Sequence, residues 1–337
     1  MALNVAFIGA GSRATKAHYP LATRLTKEGV VRLQAICDLN TKRLDQAGDK
    51  FGVERRYTDY HRMLDEVALD AVYVIMPPQF SLQIVLDCLN AGKHVLVEKP
   101  PAMSSSDLAQ MAEAAERNRR VTTVCFQRRV APVAQEVRRL ILERGPITMC
   151  LGEFHKNHLD KNGPSLGVST LLDDIIHAVD FVRYMCGGEA TEVHAFQDAF
   201  FTDWRNCYNG LIRFSTGAVG IVSGNRSSGA RILRFEVHGK GIGAEIDMPG
   251  SARVWMGNGE PLILTGAGLT HSATEQDYEG TLHIHREFVA AIVEGRQALT
   301  SFGECLGTMR LVEALEGGPY SAADRPTKVE ARVPVTV

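Results

Sequence analysis

The segment "NVAFIGAGSRATKAHYPLATRLTKEG", residues 4–29, is compatible with few folds. It opens with a short apolar run, breaks at glycines, then resumes with helical spacing through Ala17, Leu21, Ala22 and Leu25 until Gly29 ends it, which reads as strand, tight turn and helix. Gly9, Gly11 and Ala14 fit the pattern G-x-G-x-x-G/A. Small residues at those places permit the turn, the approach of a pyrophosphate and close packing of the helix, whose first N–H groups, around Ser12 and Arg13, face the phosphates. A second apolar run, "VVRLQAICD", ends at Asp38, 24 residues after Ala14. An acid there accepts hydrogen bonds from an adenosine ribose and repels a 2′-phosphate. The expectation is therefore NAD, with NADP left open by the neighbouring Lys42 and Arg43.

The alternation continues through "DAVYVIM", a helix over about Ser81–Ala91, "HVLVEKPP", "SSDLAQMAEAAERNR" and "VTTVCF". Apolar strands alternating with helices predict a doubly wound parallel sheet covered on both faces. Ser106 or Asp107 is expected to cap the helix beginning near Leu108. Ligands bind at the carboxyl ends of such strands, and two of the loops there read "MPPQ", with Pro77, and "EKPP", with Glu98 and Lys99. Lys99 precedes Pro100, which biases it to extended backbone at the rim of the crevice.

From about residue 147 the pattern changes to longer strands: "ITMCLGEFH", "EVHAFQDAFF", "NCYNGLIRFSTGAVGIVSG", "RILRFEVHGKGIGAEID", "SARVWMG" and "PLILTG". These predict a large, mostly antiparallel open sheet, with "DDIIHAVDFVRYM" and a later helix on one face. The fold class is thus an α/β Rossmann domain, residues 1–124, followed by an α+β substrate-binding and oligomerisation domain, residues 125–337. Segments 286–296 and 303–316 supply closing helices.

A net charge of −2 with both signs interspersed provides no field for a polyanion, so nucleic acid is not an expected partner. No apolar run approaches a bilayer span, and the first residues lack a basic, cleavable leader, so a cytoplasmic protein is expected. Seven cysteines without a CxxC pair read as reduced core residues.

On a helix through "TLLDDIIHAVDFVRYM", Ile175, Ile176, Val179, Val182 and Met185 form a buried side, while Asp173, His177 and Asp180 form a row at i, i+4 and i+7. A carboxylate one turn from an imidazole can fix its tautomer for acid/base work. The same residues also suit a capping box, Thr170-x-x-Asp173, with His177 as a satisfied partner of either Asp173 or Asp174; spacing alone does not choose. "FHKNH" (His155, His158) and "HIH" (His283, His285) imitate metal motifs, but no further ligand is spaced to complete a site, and no metal is expected.

The run "AGKHVLVEKP" at 91–100 closely resembles the hallmark A-G-K-H-V-x-x-E-K-P of the glucose–fructose oxidoreductase, inositol dehydrogenase and MocA family. "FQRRVAPVAQEVRRLI" is loosely similar to a second family segment, and Asp173, His177 and Asp180 match D-x-x-x-H-x-x-D. The chain departs at "MPPQFS", where Met76 and Ser81 stand in a loop that often carries histidine. The resemblance implies Lys99, Asp173 and His177 as the catalytic set, with Asp180 structural, and Glu98 and Gln127 near the nicotinamide. It also implies Arg129, His155 and His283 beside the substrate. The reaction implied is hydride transfer between NAD and a secondary alcohol or carbonyl of a polyol, cyclitol or sugar derivative, in a homodimer or homotetramer joined through the second sheet. Some similar proteins instead retain NAD and use transient oxidation to eliminate or hydrolyse a glycosidic bond. A non-catalytic dinucleotide-binding regulator is the third alternative, against which the intact Lys99, Asp173 and His177 argue.

Overall fold

The computed structural model describes residues 2–161, 163, 164 and 167–317. Strand β1 (Leu3–Ile8) leads through the glycine turn into α1 (Tyr19–Lys27). β2 (Val31–Cys37), α2 (Thr41–Phe51), β3 (Arg55–Tyr57), α3 (Tyr60–Glu66), β4 (Ala71–Val74), α4 (Ser81–Asn90), β5 (His94–Val97), α5 (Ser105–Arg117) and β6 (Thr122–Val124) come next. All six strands pair in parallel in the order β3-β2-β1-β4-β5-β6. This is the doubly wound order whose crevice opens where the strand order reverses beside β1.

Helix α6 (Pro132–Leu142) carries the chain to β7 (Met149–Asn157), α7 (Ile176–Cys186), β8 (Ala190–Asp198), β9 (Cys207–Phe214), β10 (Val219–Asn225) and β11 (Ser227–Gly239). The remaining elements are β12 (Ile242–Asp247), β13 (Ser251–Met256), β14 (Leu262–Thr265), α8 (Gly266–Thr270), α9 (Glu275–Tyr278), α10 (Thr281–Glu294) and α11 (Phe302–Leu315). The eight strands form one sheet, β14-β13-β12-β11-β7-β10-β9-β8, antiparallel except where β7 meets β10. Both expected sheets are present.

Strand alternation divides the core. Val5 and Phe7 of β1 face α1 together with Leu282, Phe288 and Val289 of α10. Ala6 and Ile8 belong to a larger cluster that runs through α5 and α6 into α7, α11 and the second sheet. Helix α10, although it comes late in the chain, therefore covers the first sheet. All seven cysteines are free and buried, six of them within these two cores.

Two local expectations are corrected. Ser104, and neither Ser106 nor Asp107, caps α5: its Oγ accepts from the Asp107 N–H at 3.1 Å, so the helix starts a turn earlier than its apolar spacing suggests. Thr170 makes no side-chain cap; Ser169 Oγ accepts from Leu172 N–H at 3.0 Å, ahead of a wide π-helical turn over Leu171–Ile175.

Helix α7 is buried on every side, which explains an apolar sequence broader than a single stripe. It lies so close to the sheet that a Cβ at Gly224 would stand 2.4 Å from Ile175, and one at Gly152 2.8 Å from Val182. Its charged residues are paired accordingly. Arg129, just beyond β6, donates to Asp180 from Nε at 2.7 Å and from Nη2 at 2.6 Å, both side chains being 1% exposed. Thr308 of α11 donates to the same carboxylate, and Glu304 accepts from both Arg129 and Arg183. Removing one member leaves a buried charge without its counter-ion. Arg129→Ala should therefore lower unfolding free energy by about 3–5 kcal/mol in urea titration, with Arg129→Met/Asp180→Leu losing less than either single change.

Candidate active site

The crevice begins at the glycine turn. Gly9 has φ +109°, and a Cβ there would stand 2.3 Å from the Ile75 carbonyl oxygen, so the backbone itself requires glycine. Gly11 differs: nothing among the described residues lies within 4 Å of where its Cβ would be. No protein contact demands a glycine there, and the open space fits the approach of a dinucleotide phosphate. Ala14 is fully buried, and Ser12 and Arg13 are exposed at the start of the helix. The Asp38 carboxylate accepts from Ala10 N–H at 2.7 Å and Asn40 N–H at 2.8 Å, which fixes it at the end of β2 with lone pairs to spare for ribose hydroxyls. Arg43 stands in the first turn of α2, its N–H bonded to the Asn40 side chain. Pro77 lies just past β4, and Gln127 is buried past β6, its amide oxygen without a partner among the described residues.

Glu98, at the end of β5, is 5% exposed and ties the crevice together. Its Oε1 accepts from Arg13 Nε and from His18 Nε2 at 2.8 Å, and its Oε2 from the Lys99 N–H at 2.8 Å. A carboxylate only accepts, so His18 donates from Nε2, while its Nδ1 lies 2.9 Å from His285 Nε2. Burial pushes the Glu98 carboxyl up, but His18, Arg13 and Lys99 outweigh that and hold it well below the usual carboxylate range. Cys125 lies beside His18 and Glu98, with ligand atoms within 4.8 Å of one another. The Arg13 guanidinium already occupies Glu98, and burial keeps the thiol protonated, so the set does not have the character of a metal site.

Opposite, the π-turn presents two adjacent acids inward. Lys99 Nζ donates to the Asp173 carbonyl oxygen and lies 3.7 Å from its carboxylate. Asp174 Oδ2 meets both Lys156 Nζ at 2.6 Å and Arg226 Nη2 at 3.0 Å. Burial raises the Asp174 carboxyl, yet Arg226 and Lys156 bring it to about 2. His177, 7% exposed, is held well below the ordinary histidine value by burial and then by the charges of Lys99 and Arg128. Its imidazole is neutral at pH 7, its Nδ1 has no partner among the described residues, and Phe126 packs edge-on against it.

Lys99, Asp173, His177 and Glu98 thus share one crevice with the glycine turn. Three other expected residues do not. Arg129 is committed to Asp180 and Glu304 and has no donor left for a substrate. His155 sits on the outward face of β7 at 3.6 Å from Glu153, because strand residues alternate and Phe154 faces the core. His283 is influenced by Arg286 and Asp277, and no contact joins it to Lys99 or His177 among the described residues. Sequence reasoning misses His18, Arg128 and Arg226 as site residues. It does not choose Lys156 over His155, although the strand period anchored on Phe154 selects Lys156.

Residues 3–126 match the family model described as "Oxidoreductase family, NAD-binding Rossmann fold", and residues 135–244 match "GFO/IDH/MocA C-terminal domain". A myo-inositol 2-dehydrogenase of Thermotoga maritima is 28% identical over 209 residues, 58% of this chain and 61% of that protein. A D-glucoside 3-dehydrogenase of Escherichia coli K12 is 30% identical over 212 residues, 58% of each. The matched stretch thus spans about three-fifths of these curated relatives. A solved levoglucosan dehydrogenase, in complex with NADH and levoglucosan, superposes with a TM-score of 0.84 over 94% of this chain and 97% of that one at 22% identity, which shows the same fold.

The depressed histidines set a pH dependence. His177, His283 and His285 have lowered pKa values through burial, so the unfolded chain binds protons that the native state refuses. That contribution to stability is fully present above the unfolded value of about 6.5 and is lost as pH falls below it, whereas the carboxylates of Glu98 and Asp174 begin to matter only near pH ~4. The urea midpoint should fall between pH 7.5 and 5, and a His285→Asn variant should show a shallower slope; equal midpoints would contradict this.

Proposed function

The chain belongs to the GFO/IDH/MocA oxidoreductase family, and from that premise we propose that it is an NAD-dependent dehydrogenase interconverting a secondary alcohol and a carbonyl on a sugar, cyclitol or related derivative. The observation that carries the reading is the Lys99 ammonium, held against Asp173 on the same crevice wall as a buried, neutral His177. A neutral imidazole can take the proton of the reacting hydroxyl, and returns it when the reaction runs toward reduction. Lys99 donates a hydrogen bond to the reacting oxygen and stabilises negative charge as it forms there. Asp173 holds Lys99 in place. Bound NAD supplies the hydride acceptor. Glu98 fixes the backbone N–H of Lys99 and braces the glycine helix through Arg13 and His18.

Asp38 supports NAD over NADP, since a 2′-phosphate would meet its carboxylate; Arg43 stands near enough to modulate the preference. Assembly as a dimer or tetramer through the outer face of the second sheet is supported by Phe196, Leu211 and Ile232, exposed on its strands. No helix among the described residues is long and apolar enough to cross a membrane.

Absorbance at 340 nm with NAD and a panel of inositols, aldoses and their acids tests the reaction. Lys99→Met and His177→Ala should each lower kcat by about 10²–10⁴-fold while NADH affinity, read by fluorescence, is retained. NAD found bound to the protein as isolated, with no net NADH from any substrate, would favour the redox-neutral lyase or glycosidase chemistry instead. For the cofactor, Asp38→Ala should raise kcat/KM with NADP relative to NAD; an unchanged ratio would remove Asp38 from that role.

A further inference from the structure

Two consecutive arginines beyond β6 meet opposite fates. Arg129 is matched by Asp180 and Glu304. Arg128 is nearly as buried, at 8% exposure, yet among the described residues its one hydrogen bond runs from Nη1 to the Glu279 carbonyl oxygen at 3.1 Å, and its Nε has no partner there. No carboxylate among the described residues forms an ion pair with it. Glu279 and Glu275 attract it from farther away, while Arg231 and Arg13 repel it. It comes two residues after Phe126, whose ring packs edge-on against His177, and its charge reaches His177, so it lies at the candidate active site rather than on a remote surface. A guanidinium taken out of water without a counter-ion is unfavourable unless something else supplies the charge.

The neighbouring wall repeats the imbalance. Lys156 and Arg226 share a single oxygen of Asp174. Both stand over the Phe154 ring, at 4.7 and 4.9 Å from its centre, with Arg231 at 5.6 Å and in no ion pair among the described residues. With Lys99 and Arg128, these cations outnumber the carboxylates of Asp173, Asp174 and Glu98, the last of which is already matched by Arg13. The cavity therefore attracts a negative ligand, and Arg128 offers the planar fork that receives one.

We infer that the substrate is an anion, a polyol or sugar derivative bearing a carboxylate or phosphate, and that Arg128 binds that group. The inference rests on the proposed dehydrogenase for what happens to the substrate, but not for its binding. The cofactor's own pyrophosphate is the competing source of the same charge; the glycine turn and the first N–H groups of the helix at the end of β1 already fit it.

The test uses the intact protein saturated with NADH, titrated calorimetrically with three aldoses and with the aldonate, uronate and 6-phosphate of each. An anion is expected to bind at least about tenfold more tightly than its neutral parent. The advantage should be lost in Arg128→Gln, partly kept in Arg128→Lys, and weakened by added salt, with NADH affinity unchanged by either substitution. Which member of each set prevails separates carboxylate from phosphate. Equal binding of neutral and anionic members, or binding of none, overturns the inference. So does a parallel loss of NADH affinity in Arg128→Gln, which would assign the residue to the cofactor. Tight binding of an anion without NADH formation from NAD would uphold the inference and count against the dehydrogenase reading alone.

Discussion

The Arg129–Asp180 ion pair is the interaction on which the rest of the site depends. It joins the loop after the last parallel strand to the helix that lies across the second sheet, with Thr308 and Glu304 of the final long helix closing the arrangement. Gln127 and Arg128 immediately precede Arg129, and His177 lies three residues before Asp180 on the same helix. The pair therefore sets the separation between the cofactor side of the crevice and its histidine. A buried ion pair is a poor source of net stability compared with apolar packing, but it tolerates little displacement, because either charge alone would be left in the core. Position is what the site gains from it.

A second fixed point is Glu98, which joins the end of one strand to the helix after another. Its two oxygens collect the Lys99 N–H, the Arg13 side chain and the His18 ring, and His18 in turn leans on His285 of the helix covering the first sheet. The lysine side chain therefore leaves a backbone held from the cofactor side, while its ammonium is held from the helix side by Asp173. The two halves of the crevice meet at this one residue.

The architecture is legible in the sequence because its signals are local. Glycines at a strand end, apolar runs of strand length and alternating longer strands each arise from backbone sterics or from which face is buried. The site is legible only in part. In "QRRV" nothing local tells which arginine has an acid waiting in a helix fifty residues later, so Arg129 is expected at a ligand when Arg128 is the unpaired one. In "FHKNH" the strand period does separate His155 from Lys156, but only once Phe154 is known to face the core. "HIH" hides a similar divergence: His285 turns to His18, while His283 is influenced by Arg286 and Asp277. The row of Asp173, His177 and Asp180 assumes 100° per residue, and the chain does not keep that step through residues 171–175.

That wider turn makes the site sensitive to length as well as to composition. In a regular α-helix, neighbouring residues point about 100° apart and rarely serve one cavity, whereas here Asp173 reaches the lysine after the fifth strand and Asp174 a lysine of the second sheet and the arginine between β10 and β11. An extra residue accommodated in the first turn supplies the rotation that lets both do so. Loss of a single residue before Ile175 would wind the segment back to regular pitch and uncouple the two acids, although every side chain named in the chemistry would still be encoded. Insertions and deletions in this turn are thus a route by which related chains can exchange one charge pattern for another while keeping the same fold and the same histidine.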